Sequence, residues 1–177
     1  VQLTKTTMED GYISQGPMVD TFEAQLKDKL NSPYIVTTNS ATSAEHLILH
    51  MLKQDMPKGK TEILTSALTC TATNWPILAN GYDIKWVDVC PNTLNMDLDD
   101  LQSKINSKTA AIMIVNWGGY PVNIDKLESI LNSLEYRIPV ILDCAHSFGS
   151  TYKGKHISEY GYYCTYSFKA IKHLCCG

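Results

Sequence analysis

The sequence predicts an α/β fold, a three-layer, mainly parallel sheet flanked by helices, and three observations lead to it. Helical and strand periodicities alternate along the chain, and the runs "TAAIMIV" and "IPVIL" are continuously apolar, as strands covered on both faces are. Gly, Pro and polar breakers such as "PKGK" punctuate the joins. In chain order, "GPMVDTFEAQLKDKL" has helical spacing, "YIVTT" reads as a short strand, and "ATSAEHLILHMLKQ" is an amphipathic helix. "TEILTS" is the next strand, "TATNWPILAN" a short helix stopped by Gly81, and "DIKWVDV" a strand. "DLDDLQSKI" is a helix with acids in its first turn, where they complement the helix dipole. "TAAIMIVN", "NIDKLESILNSL", "IPVILD" and "YYCTYSF" complete the series as strand, helix, strand, strand. Strand and helix taking turns is the pattern of a parallel sheet with crossover helices.

Bulk properties bound the function. The chain has 177 residues, 44% of them hydrophobic and 19% charged, which is enough for one substantial core. Its net charge of −3 is not gathered into a basic run, so nucleic acid is not an expected partner. The apolar runs are too short to span a bilayer and no basic-then-apolar leader opens the chain, so a soluble, cytoplasmic protein is expected, with no membrane partner. The six cysteines (Cys70, Cys90, Cys144, Cys164, Cys175, Cys176) include no C-x-x-C pair and read as reduced thiols. His46 and His50 share a helix face but lack a third ligand, and no metal site is expected. No linker, repeat or low-complexity segment divides the chain, and its abrupt ends suggest a sheet that continues in further residues.

Ligands of open α/β sheets collect at the carboxyl ends of the strands, so the residues just after each strand hold the functional information. "NSATSAEHL" opens a helix with Thr42 and Ser43 beside exposed backbone N–H groups, which suits a phosphate; it equally suits a plain N-cap. "DCAHSFG" places Asp143 at the end of an apolar strand with His146 three residues on. A carboxylate there needs a partner, either a cofactor nitrogen or the next turn's N–H groups, and His146 also has an ordinary packing role open to it. The final strand delivers Ser167, Lys169 and Lys172 to the same edge. A lysine with a burial-depressed pKa can attack an aldehyde, although lysines near a terminus are commonly solvated.

Together "NSATSAEHL", "SALTCTATNWPILANGYDIKWVDV", "VILDCAHSFGSTYKGKHI" and "YSFKAIKHL" resemble, in order and spacing, the DegT-like nucleotide-sugar aminotransferases, which are fold-type-I pyridoxal-phosphate enzymes. "GYISQGPMVDTFE" is similar to their amino-terminal signature. The resemblance implies the cofactor pyridoxal 5'-phosphate and transfer of an amino group, from an amino acid such as glutamate, to a keto group of a nucleotide-linked deoxysugar. It implies that Lys172 binds the cofactor aldehyde and moves the proton, and that Asp143 keeps the pyridine nitrogen protonated. His146 supports the ring, while Thr42, Ser43 and Ser167 hold the phosphate. Where many relatives place a stacking aromatic, this chain has Cys70, with Trp75 five residues later, and a small side chain there holds the ring less firmly. A dehydrating branch of the family has histidine at the lysine position, so Lys172 favours amino transfer.

The family's lysine lies near mid-chain, so residues 1–177 are expected to be part of the large cofactor-binding domain, without the rest of that domain or the small carboxy-terminal domain. A homodimer or a complementing second half is the expected partner. Another fold-type-I reaction, or a non-catalytic fragment, stays open at this point.

Overall fold

The computed structural model describes residues 2–11 and 14–175. Tyr12 and Ile13 of the amino-terminal signature, and Cys176, lie outside the described residues. The chain divides into two units, Val1–Thr37 and Thr38–Gly177.

The first unit holds α1 (Gln2–Glu9), which the periodicity did not single out, and α2 (Pro17–Leu30). Pro17 stands in the first turn of α2, where its missing N–H costs nothing, and Asn31 closes the helix in the left-handed region at φ 48°. Leu26 and Leu30, four apart, are the buried positions. Thr37 donates from both its backbone N–H and its hydroxyl to Glu23 Oε1, each at 2.8 Å. These donors, the backbone N–H foremost, hold the Glu23 carboxyl below its ordinary range.

The expected strand "YIVTT" does not form. Residues 34–38 pair with no strand among the described residues, and Tyr34 and Val36 are 90% and 75% exposed. β-branched and aromatic side chains favour a strand only where a neighbouring strand and a packed face exist to receive them.

The second unit is built on β1 (Glu62–Ser66), β2 (Asp83–Val87), β3 (Thr109–Val115), β4 (Val140–Asp143) and β7 (Tyr163–Thr165). They pair in the order β2-β1-β3-β4-β7, every pairing parallel. The helices are α3 (Ala41–Asp55), α4 (Thr71–Ala79), α5 (Leu98–Lys104) and α6 (Ile124–Asn132). The strand pleat sorts the core into two layers. Leu64, Ile112, Ile114 and Leu142 pack with Leu101, Leu127 and Leu131 of α5 and α6. Ile63, Ala111, Met113 and Ile141 pack on the other face with Leu49 of α3 and Ile77 of α4. All seven residues of β3 are buried, as its unbroken apolar run requires of a central strand.

Further elements escaped the periodicity: a hairpin of β5 (Thr151–Tyr152) and β6 (Lys155–His156), and short 3-10 turns at Trp117–Gly119 and Ile157–Tyr160. The last strand is shorter than "YYCTYSF" and lies at an edge of the sheet. Among the described residues no helix is long and apolar enough to cross a membrane.

Candidate active site

After β1 the chain passes to β2 on one side and then back to β3 on the other, so strand order reverses at the β1–β3 boundary. The crevice outside the carboxyl ends at such a reversal is where open α/β sheets bind ligands. Asp143, the last residue of β4, faces this region and is buried. It lies in register with Thr165 of β7, so both side chains point toward the α3 and α4 layer.

Asp143 is held by donors from two elements. The Thr73 hydroxyl of α4 donates to Oδ2 at 2.7 Å, and the Ala145 backbone N–H donates to Oδ1 at 2.9 Å. Thr73 has one hydroxyl proton, so in its 2.9 Å contact with Thr69 the latter is the donor. The acid therefore both caps its own turn and anchors α4. The turn reading of Asp143 is realised, and the carboxylate keeps lone pairs for a further donor.

A third contact comes from a residue that pattern reading passed over. Glu45 of α3 is 2% exposed and lies near enough to Asp143 for the two carboxyls to act on each other. The Thr165 hydroxyl approaches its Oε1 at 3.3 Å. Burial, and next the Asp143 carboxylate, push the Glu45 carboxyl up to about 9. A signal for it exists: Glu45, Leu49 and Leu52 fall at i, i+4 and i+7, which puts an acid on the apolar stripe of the helix.

The amino end of α3 is capped by Ser40, whose Oγ accepts from the Ser43 N–H at 3.1 Å and contacts Ser43 Oγ at 2.9 Å. Ser43 is thus engaged in the cap, and Thr42 stands half-buried beside it in the first turn. Asn80 closes α4, its side-chain amide reaching the Pro76 carbonyl at 2.8 Å and His46 Nδ1 at 3.1 Å. The His46 ring is therefore occupied by packing, and among the described residues no group of three or more His, Cys, Asp or Glu could hold a metal. Cys70, Cys90, Cys144 and Cys164 form no disulfide.

Beyond β7 the chain turns, with the Lys172 N–H donating to the Lys169 carbonyl at 2.8 Å. Lys172 and Ser167 are half-buried, whereas Lys169 is exposed. His146 ties this turn to Asp143: its imidazole is held below the ordinary range, first by burial and then by the Lys172 charge, with Asp143 opposing. These three side chains therefore share one local field. The His146 ring meets Trp117 edge-on at 5.4 Å, a contact the sequence did not point to. Gly119, in the same loop, sits at φ +86°, and a Cβ there would lie 2.6 Å from the His146 carbonyl oxygen, so only glycine permits this approach.

Cys70 is the exposed residue preceding α4, close enough for its thiol to act on Glu45. Trp75 is 64% exposed. Two residues beyond buried Thr73 it points to the opposite side of α4, away from Asp143.

The donor set fits pyridoxal phosphate: a buried carboxylate for the ring nitrogen, hydroxyls at the start of α3 for the phosphate, and a half-buried lysine on the turn beyond β7. This mostly parallel sheet, with its acid at the mouth of β4 and its lysine turn after β7, has the fold of the fold-type-I pyridoxal-phosphate transferases. The model of the DegT/DnrJ/EryC1/StrS aminotransferase family matches residues 1–177, and the chain belongs to that family. It is similar to AtS13 from Actinomadura melliaura, with 46% identity and a TM-score of 0.94 over 98% of this chain and 47% of that one. The sugar aminotransferase CalS13 from Micromonospora echinospora gives 42% identity and 0.85, covering 93% of this chain and 45% of its own. Spr1654 from Streptococcus pneumoniae, in its PMP form, gives 31% identity and 0.87, covering 96% and 45%. The chain thus spans about half the length of these relatives.

Proposed function

We propose that this chain forms the cofactor-binding part of a sugar aminotransferase, which moves an amino group from an amino acid, glutamate in the first instance, to the keto group of a nucleotide-linked deoxysugar. The observation that supports it most strongly is the grouping of Asp143, His146 and Lys172 at the strand ends of a chain in this family. Pyridoxal phosphate, when bound, supplies the electron sink that lets a C–H bond beside an amine be broken.

The chain's own residues do the rest. Asp143 offers its carboxylate to the pyridine nitrogen and keeps a proton there. Lys172 would hold the cofactor at its aldehyde and, by its amine, would be the group that takes and returns the proton at the carbon that loses or gains nitrogen. His146, kept neutral above its lowered pKa, supports the ring from the side of Trp117. Thr42, Ser43 and Ser167 would hold the phosphate, and Cys70 would take the place of the aromatic residue that stacks on the ring in many relatives. In this reading residues 1–177 are part of the large domain, and the remaining elements come from further sequence, a complementing half or a second subunit, in the cytoplasm.

The test supplies the chain with the carboxy-terminal half of a related enzyme, pyridoxal phosphate, ¹⁵N-glutamate and a panel of nucleotide-linked 4-keto sugars. Incorporation of ¹⁵N into a sugar, lost in Lys172→Ala, is expected. A reconstituted protein that binds cofactor yet aminates none of the panel would refute the substrate assignment.

A further inference from the structure

Glu45 has no part in the roles above, yet it is among the most deeply placed charged-type residues of the chain. A carboxyl so buried must pair with a cation or stay neutral. The titratable groups that face it are Asp143 from β4 and Cys70 from the start of α4, both anionic when ionised, with the Thr165 hydroxyl from β7 as its other neighbour. Thr165, which reaches Glu45, is in register with Asp143, and two buried carboxyls that act on each other from such neighbouring positions favour holding one proton between them. Asp143 receives a 2.7 Å hydroxyl and a 2.9 Å backbone N–H, donors that favour its charged form. Glu45 has only the longer 3.3 Å approach of Thr165, so the proton belongs on Glu45.

We propose that Glu45 is a positioning residue for Asp143: a neutral carboxylic acid that donates a hydrogen bond to the Asp143 carboxylate from the α3 side and fixes its charge and direction toward the ring nitrogen of the cofactor. Only the last clause rests on the cofactor reading. Glu45 lies within two turns of the α3 start, two residues after Ser43, so one rigid helix spaces the candidate phosphate seat from the group behind the ring acid. Placement of the phosphate and of the Asp143 carboxylate are thereby linked through a single element.

The experiment uses protein labelled with ¹³C at glutamate carboxyls, with Glu45→Gln to assign the signal. At pH 7 one glutamate carbon should remain at the neutral-acid position, be missing from Glu45→Gln, and move only near pH 9. Asp143→Asn should bring that titration to lower pH. Glutamate signals that all titrate together in the ordinary acid range would overturn the proposal. Pyridoxal phosphate affinity then tests positioning: Glu45→Gln, which keeps a donor, should bind within about threefold of wild type, and Glu45→Met roughly tenfold more weakly. Equal affinity of all three proteins would overturn the positioning role. If wild type binds no pyridoxal phosphate the cofactor reading fails, while the carbon signal still decides whether the acid pair exists.

Discussion

Replacing Glu45 by Gln should change how stability depends on pH, and the size of the change follows from its burial. The folded carboxyl titrates at about 9 against an ordinary 4.5. Below pH 4.5 both folded and unfolded chains are protonated there and the group is neutral in the balance. As pH rises through that window the unfolded glutamate ionises while the folded one must keep its proton, so wild type loses about 1.4 kcal/mol per pH unit until the folded group ionises near 9. Between pH 5.5 and 7.5 the loss is about 2 to 3 kcal/mol. Gln cannot ionise and lacks this slope. Its second N–H needs a partner, which sets a pH-independent offset of about 1 to 3 kcal/mol. The diagnostic is therefore the change in the difference between the two proteins. Urea unfolding of both at several pH values, with m unchanged, reads it directly. The variant should gain on wild type steadily with rising pH; parallel curves would show that Glu45 is ionised in the folded protein and refute the reasoning.

Three other outcomes are expected. Asp143→Asn should reduce turnover of the reconstituted enzyme about 100- to 1000-fold while most cofactor binding survives, and near-normal turnover would move the ring-nitrogen role elsewhere. Gly119→Ala should destabilise by about 1 to 3 kcal/mol, because the added Cβ meets the His146 carbonyl at a positive φ; an unchanged Tm would contradict that contact. Cys70→Phe should tighten pyridoxal phosphate binding by about 0.5 to 1.5 kcal/mol if residue 70 lies against the ring, and weaker binding would place it elsewhere.

The layered sheet was legible because its signals are redundant. β3 is apolar along its whole length, α6 places Ile124, Leu127 and Leu131 on one stripe, and Gly81 stops the chain after α4 where its permissive backbone is needed. The segment at 34–38 misled because propensity is local whereas pairing is not: nothing in "YIVTT" reveals that no strand lies beside it. The hairpin at 151–156 was missed because its strands are two residues long, too short for a period. Around the site, Asp143 and His146 stood out because a charged group ends a buried strand. Thr73 did not, since a hydroxyl on a helix face is ordinary until its 2.7 Å contact is seen. Trp117 and Gly119 reach His146 only through the return of a loop, which no spacing rule encodes.

The central claim is that Lys172, rather than its neighbour Lys169, meets pyridoxal phosphate beside Asp143. Borohydride reduction of the protein with the cofactor, followed by peptide mass mapping, tests it in one step. The half-buried Lys172 should bear the added phosphopyridoxyl mass and exposed Lys169 should not; the mass on Lys169, or spread over surface lysines, would contradict the account.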